Sequence, residues 1–218
     1  MKHSLIIWDF DGVLADSEKI YLQNRQKYFN QKLNLNWTFP ELVKKIGGLS
    51  DVSNRKILAE LGHVTDDSFW AELAQLDHCV MSQGIVPMTG VETVIKKLPK
   101  QCVATGGGLS LTISKLKWVG FWQKYFSEKN VFTGDMVSKG KTEPDIFLLA
   151  AKQMNEKVEN CIVVEDSIAG MTAAKKAGMD VVAFLGCEMY QNDEYVNKVK
   201  SLGVKHICFS MKEVEAIL

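Results

Sequence analysis

The chain has little of what would place it in a specialised class. Among its 218 residues only 4 are proline and 16 glycine, so disordered, collagen-like and linker architectures are excluded. Net charge is also lacking: 26 Lys and Arg meet 26 Asp and Glu, leaving no polybasic surface for nucleic acid or an acidic membrane. No apolar run approaches the roughly 18 residues of a membrane span, and the first one, Leu5 to Trp8, is cut short by Asp9. No signal peptide is expected, and the cytoplasm is the predicted location. Cysteine is sparse and odd in number (Cys79, Cys102, Cys161, Cys187, Cys208) and sits mostly among aliphatic residues. These read as core residues in a reducing compartment rather than a disulfide framework. His63, His78 and His206 show no metal-ligand spacing.

What is present is the composition of a globular protein, 46% hydrophobic and 24% charged. A chain of this length buries roughly 70–75% of its unfolded surface and needs no staple. Short runs that are apolar on both faces recur, each ending at a small or polar residue: Leu5–Trp8 before Asp9, Cys102–Ala104 before Thr105, and Ile162–Val164 before Glu165. Val181–Phe184 and His206–Phe209 extend the series. Helical patterns separate them: Leu109, Ile113 and Leu116; Pro144 ahead of Ile146 and Phe147; and Ile168–Ala177, stopped by Gly178. Alternation of buried strands and helices predicts an α/β fold with a doubly wound, Rossmann-like parallel sheet.

Between Ser17 and Val86 the periodicity is helical only, as in Phe39, Leu42, Val43 and Ile46, then Phe69, Trp70, Leu73 and Leu76. The predicted organisation is an α/β core of residues 1–15 and 87–218, with an all-helical insert, 16–86, after the first strand.

Ligands of an open α/β sheet bind at the carboxyl ends of its strands, where this sequence puts Asp9, Asp11, Thr105, Glu165 and Asp166. Carboxylates converging on one crevice repel unless a cation joins them. A hard divalent ion, most simply Mg²⁺, meets that demand and brings a phosphate group with it. Asp9-Phe10-Asp11-Gly12 taken alone fits a strand followed by a turn equally well. Thr105 opens Thr105-Gly106-Gly107-Gly108, whose hydroxyl and amides offer an oxyanion cradle, against the simpler reading of a flexible strand-to-helix turn. Gly134 to Thr142 resembles a Walker A loop, but five residues separate its glycines where four are required, and a P-loop is rejected. Lys141 is instead read as a fixed cation facing Asp9 and a phosphate oxygen, and Lys139 as a solvated loop residue.

In their order along the chain these segments closely resemble the haloacid dehalogenase-like (HAD) hydrolases: Asp9-Phe10-Asp11-Gly12-Val13-Leu14-Ala15-Asp16-Ser17-Glu18, then Thr105, then Gly140-Lys141-Thr142-Glu143-Pro144-Asp145, then Val164-Glu165-Asp166-Ser167-Ile168-Ala169-Gly170. The resemblance spans nearly the whole chain and points to the capped branch holding sugar-phosphate phosphatases and β-phosphoglucomutase. It implies that Asp9 attacks phosphorus to form an aspartyl-phosphate, and that Asp11 protonates the leaving oxygen and later activates water. It also implies that Asp9, Asp166 and the Asp11 main-chain carbonyl hold Mg²⁺, with Glu165 a further metal-site residue. Thr105, Gly106 and Gly107 would bind phosphate, and the insert would be a cap whose loop Gly47-Gly48-Leu49-Ser50 meets the substrate through Gly48 and Ser50. The second aspartate, Asp11, argues against dehalogenation. Tyr21 stands where the mutase pattern has histidine, which favours hydrolysis. Two further departures are Thr142 in place of the usual proline and glycines at 106–108 where serine or asparagine is common.

The expected function is therefore a Mg²⁺-dependent phosphatase of small phosphorylated metabolites, sugar phosphates or phospho-acids, acting as a monomer or weak homo-oligomer without nucleic-acid or membrane partners. Its rivals are a phosphosugar mutase and, from another class, a phospho-accepting signalling module or a non-catalytic binding relative. Asn24, Arg25, Lys44 and Lys45 of the insert are read as solvated helix-face residues rather than substrate contacts.

Overall fold

The computed structural model describes residues 3–47, 49 and 51–218. The chain divides into two compact units, one comprising Met1–Asp16 and Val86–Leu218, the other Ser17–Ile85.

The first unit is built on six strands, β1 (Leu5–Trp8), β2 (Gln101–Thr105), β3 (Val131–Thr133), β4 (Cys161–Glu165), β5 (Asp180–Phe184) and β6 (His206–Cys208). All pair in parallel in the order β3-β2-β1-β4-β5-β6, the doubly wound arrangement whose direction of winding reverses at β1. Every residue of β1, β2 and β4 is buried, because both faces of a sheet made by crossover connections are covered. That is why these strands read as continuous apolar runs rather than alternating ones. Leu5, Ile7, Cys102, Ala104, Cys161 and Val163 meet Ile146, Phe147, Ala150 and Met171 in one core cluster. Each large side chain buried there contributes about 1.5–3 kcal/mol. Four of the five cysteines are buried; Cys79 is exposed.

Strand β3 was not expected from sequence, since three residues are too few to show a period. A second difference concerns the helix after β2. Its buried residues are Thr112, Lys115 and Leu116, so the face turned inward is rotated from the Leu109, Ile113, Leu116 stripe.

Among the described residues the second unit holds four helices, α1 (Glu18–Leu33), α2 (Phe39–Ile46), α3 (Asp51–Glu60) and α4 (Asp67–Gly84). A Thr38/Glu41 capping box starts α2, and the Asp66 carboxylate, accepting from the Phe69 amide at 2.9 Å, starts α4. Its core is aromatic: Phe29 lies 6.0 Å from Phe69 and 6.1 Å from Trp70, ring centre to ring centre. The described residues of the first unit form six more α-helices, α5 (Val91–Ile95), α6 (Leu109–Trp118), α7 (Asp145–Gln153), α8 (Ile168–Lys176), α9 (Asp193–Ser201) and α10 (Met211–Ile217). Among the described residues no helix is long and apolar enough to cross a membrane.

Candidate active site

The sheet order makes the crevice. Trp8 lies opposite Val164 across β1 and β4, and the Asp9 amide donates to the Val164 carbonyl at 3.0 Å, so the next residues, Asp9 and Glu165, leave the sheet side by side. Thr105 ends β2, on the other flank of β1. Carboxylate oxygens of Asp9, Glu165 and Asp166 lie within 4.8 Å of one another, and all three residues are buried.

Lys141 reaches this cluster from the loop before α7. Its Nζ lies 2.6 Å from Asp9 Oδ1 and 2.7 Å from Glu165 Oε1. The next residue, Thr142, has φ +132°, a value proline cannot adopt. The departure from the family pattern at this position thus coincides with an unusual backbone conformation beside the lysine.

Glu165 is fully engaged. Its Oε1 accepts from Lys141 and from the Ser167 hydroxyl at 3.0 Å, and its Oε2 accepts from the amides of Asp166 at 2.8 Å and Ser167 at 3.2 Å. Ser167 Oγ in turn accepts from the Gly170 amide at 3.0 Å and caps α8. A Cβ on Gly170 would come within 1.5 Å of Glu165 Oε1, so only glycine leaves room for the carboxylate. Gly12, at φ +76°, plays the same part for Asp166, whose Oδ2 would stand 2.0 Å from an added Cβ. The Tyr195 hydroxyl, from α9, donates to the Asp166 carbonyl at 2.8 Å.

Electrostatics follow from this burial. Loss of water, reinforced by the negative charge of Glu165, pushes the Asp9 pKa up to about 7 despite the opposing pull of Lys141. Burial also opposes the charge on Glu165, but Lys141 and the Ser167 donors prevail and hold its pKa below the ordinary range. For Lys141 burial disfavours the ammonium, yet Asp9 and Glu165 together raise its pKa above the usual value.

Asp11 lies apart from that cluster, paired with Lys115 of α6. Thr105 is buried, and Gly106–Gly108 lead from it to α6. Among the described residues no acceptor takes the amides of Gly106 and Gly107. The loop is held from behind: the Gly134 amide donates to the Gly107 carbonyl at 3.0 Å, and Asp135 Oδ2 accepts from the Leu109 amide at 3.0 Å. Asp135, Lys115 and Tyr195 were not singled out by sequence. Lys115 carried one readable signal, a charge beside Leu116 and three residues after Thr112, whereas Asp135 and Tyr195 act across distant parts of the chain.

In the helical unit Gly48 and Ser50 lie outside the described residues. Lys44 and Lys45 are exposed, as expected. Arg25 is not solvated and Asn24 is half-buried: Arg25 has Nη2 3.0 Å from Asp77 Oδ2 and Nη1 2.6 Å from Asp51 Oδ1, and Asn24 Nδ2 donates to Asp77 Oδ1 at 2.7 Å. The reason is mutual. Asp77 is itself buried on α4, and two such charges are tolerated only as a pair.

The donor set suits a divalent cation. Asp9, Glu165 and Asp166 place three buried carboxylates around one ammonium group, Lys141, which leaves two negative charges uncompensated when all three are ionised. Every available ligand is an oxygen, the preference of a hard ion such as Mg²⁺.

Comparison with known proteins agrees with the sequence. Residues 6–184 match the family model described as haloacid dehalogenase-like hydrolase. A phosphorylated carbohydrates phosphatase of Thermotoga maritima is 30% identical over 80% of this chain and 82% of its own. The bifunctional riboflavin kinase/FMN phosphatase of Arabidopsis thaliana is also 30% identical, over 83% of this chain, which spans only 48% of that longer protein. Among solved structures, a haloacid dehalogenase-like protein of unknown function from Agrobacterium tumefaciens aligns with a TM-score of 0.86 at 24% identity, covering 99% of this chain and 97% of that one. The chain belongs to the haloacid dehalogenase-like hydrolases.

Proposed function

We propose that this hydrolase is a Mg²⁺-dependent phosphatase that cleaves phosphate monoesters of small metabolites, sugar phosphates or phospho-acids, through a phosphoryl group carried on Asp9. The observation that carries the reading is the buried Asp9 carboxylate, fixed by Lys141 at the reversal point of the sheet, with a second aspartate two residues on.

The carboxylates of Asp9 and Asp166 and the main-chain carbonyl of Asp11 would hold the ion; Glu165, saturated by its own donors, orients Lys141 instead. When bound, Mg²⁺ supplies positive charge that keeps Asp9 ionised and draws electron density from the phosphoryl oxygens. Lys141 fixes the Asp9 carboxylate through Oδ1, so that one of its oxygens can face phosphorus and the other the ion. The P–O bond to the leaving group breaks as the bond from the Asp9 carboxylate to phosphorus forms, and Asp11 gives the departing oxygen its proton. Thr105 and the amides of Gly106 and Gly107 steady the transferred oxygens. Water then attacks phosphorus, Asp11 takes its proton, and inorganic phosphate leaves with Asp9 restored. One acid–base residue thus serves both displacements.

Hydrolysis is favoured over a mutase by Tyr21. Its hydroxyl donates to Asp51 Oδ1 at 3.1 Å, and burial holds its pKa well above the ordinary tyrosine value, so it does not exchange protons near neutrality as a second acid–base group would. The helical unit serves as the cap that selects the substrate. The T. maritima relative, named for phosphorylated carbohydrates, supports that substrate class.

The test is phosphate release from a panel of sugar phosphates, phosphorylated sugar acids, nucleotides and phosphoglycolate, with Mg²⁺ or EDTA and with Asp9→Asn as the blank. Metal-dependent release from a few members, absent in the blank, is expected. Conversion of one phosphosugar isomer into another without phosphate release would establish the mutase instead.

A further inference from the structure

Asp11 does not stand free at the crevice. Lys115 Nζ donates to both of its carboxylate oxygens, 2.6 Å from Oδ1 and 2.8 Å from Oδ2. The lysine side chain is 9% exposed against 31% for the aspartate, and its Nζ lies over the Phe10 ring, 5.7 Å from the centroid. An ammonium so far from water is costly without a partner, so the inward face of α6 spends a core position on holding this one carboxylate. The same helix is opened by the Gly106–Gly108 loop, which links the place where phosphate would bind to the orientation of Asp11.

An acid–base carboxylate must lie within about 2.6–3.2 Å of the oxygen it serves. Asp11 has two rotatable side-chain bonds, and the charge-compensating groups of the crevice, Lys141 and a bound cation, would both attract it. A two-point contact with a nearly buried ammonium removes that freedom. We propose that Lys115 is a positioning residue for the acid–base step: it holds the Asp11 carboxylate away from the cation held by Asp9 and Asp166 and directs it at the leaving oxygen. In the acid form one oxygen stays on Lys115 while the other, released from it, carries the proton that passes to the leaving oxygen and is regained from the attacking water. This rests on the assignment of Asp11 as the acid–base group.

Such a role is felt only where the leaving oxygen needs a proton. The experiment is single-turnover release of the leaving group from phenyl phosphate, whose phenolate is basic, and from p-nitrophenyl phosphate, whose nitrophenolate departs unprotonated. Lys115→Met, with the protein otherwise intact and saturated with Mg²⁺, is expected to slow phenol release by about tenfold or more while changing nitrophenolate release by less than about threefold. KM for both is expected to stay within about twofold, and Lys115→Met/Asp11→Asn to be no slower than Asp11→Asn alone. Equal losses with the two leaving groups, a gain in phenol release, or additive losses in the double variant would overturn the proposal. Thermal melting checks folding. Should Lys115→Met not fold, Lys115→Arg, whose longer fork displaces the carboxylate, is expected to show the same dependence on leaving group, and its absence would overturn the proposal equally. If Asp11→Asn itself fails to discriminate the two substrates, the assignment of Asp11 falls first.

Discussion

Replacing the central carboxylate should abolish activity and yet stabilise the metal-free protein. Asp9 is carried from an ordinary pKa of 3.8 up to about 7, and at ~1.4 kcal/mol per tenfold change in proton activity its ionised form is disfavoured in the fold by about 4 kcal/mol. A carboxyl whose folded pKa lies above its unfolded one favours folding while protonated. That contribution is complete below about pH 4 and is lost as pH rises through about 7. Asp9→Asn keeps the shape, removes the charge and leaves Lys141 neutralised by Glu165. If imperfect hydrogen bonding of the new amide consumes half the benefit, about 2 kcal/mol remains at about pH 8, or about 4–8 °C in Tm for a chain of this size. The assay is thermal melting of both proteins in EDTA at about pH 8 and about pH 5, then with Mg²⁺. The advantage of Asp9→Asn should shrink at the lower pH, and Mg²⁺ should raise the wild-type Tm more than that of the variant. A less stable Asp9→Asn at the higher pH in EDTA would refute the charge balance drawn for the crevice.

Other perturbations separate the remaining parts. Asp11→Asn should lower turnover of alkyl phosphates by about 10²–10⁴, read as phosphate release under saturating substrate. Lys141→Ala should cost at least about 10² in kcat, because it uncovers two buried carboxylates. Lys139→Ala, an exposed change, should stay within about twofold, and the opposite ranking would show that the wrong lysine had been placed in the site. Gly170→Ala should destabilise the fold by more than about 2 kcal/mol, since Glu165 cannot withdraw without losing Lys141, and a melting curve equal to wild type would contradict that geometry.

The parts of the site that could be read from sequence are those fixed by local chemistry. Asp9, Thr105 and Glu165 stand at the ends of apolar runs, and strand ends in a parallel sheet are where a crevice must form. Gly170 follows Glu165 at short distance along the chain, whereas Gly12 follows Asp11 but makes room for the distant carboxylate of Asp166. What escaped reading depends on residues far apart in sequence. Lys115 meets Asp11 only because α6 turns its Thr112–Lys115–Leu116 face inward, and apolar periodicity cannot report a lysine among core positions. Asp135 caps a helix that begins 26 residues earlier in the chain, so no capping signature precedes that helix. Arg25 reads as an exposed helix residue until Asp77, on another helix, is placed beside it. Strand β3 is too short for a period and is identified only by its pairing with β2.

The central claim is that Asp9 carries the phosphoryl group. Acid quenching during turnover, followed by proteolysis and mass spectrometry, tests it most directly. The account predicts a phosphoryl adduct on the peptide containing Asp9, removable by hydroxylamine, absent in Asp9→Asn and accumulating when Asp11→Asn slows its hydrolysis. Phosphate release at full rate with no adduct on that peptide, or with the adduct on another residue, would contradict it.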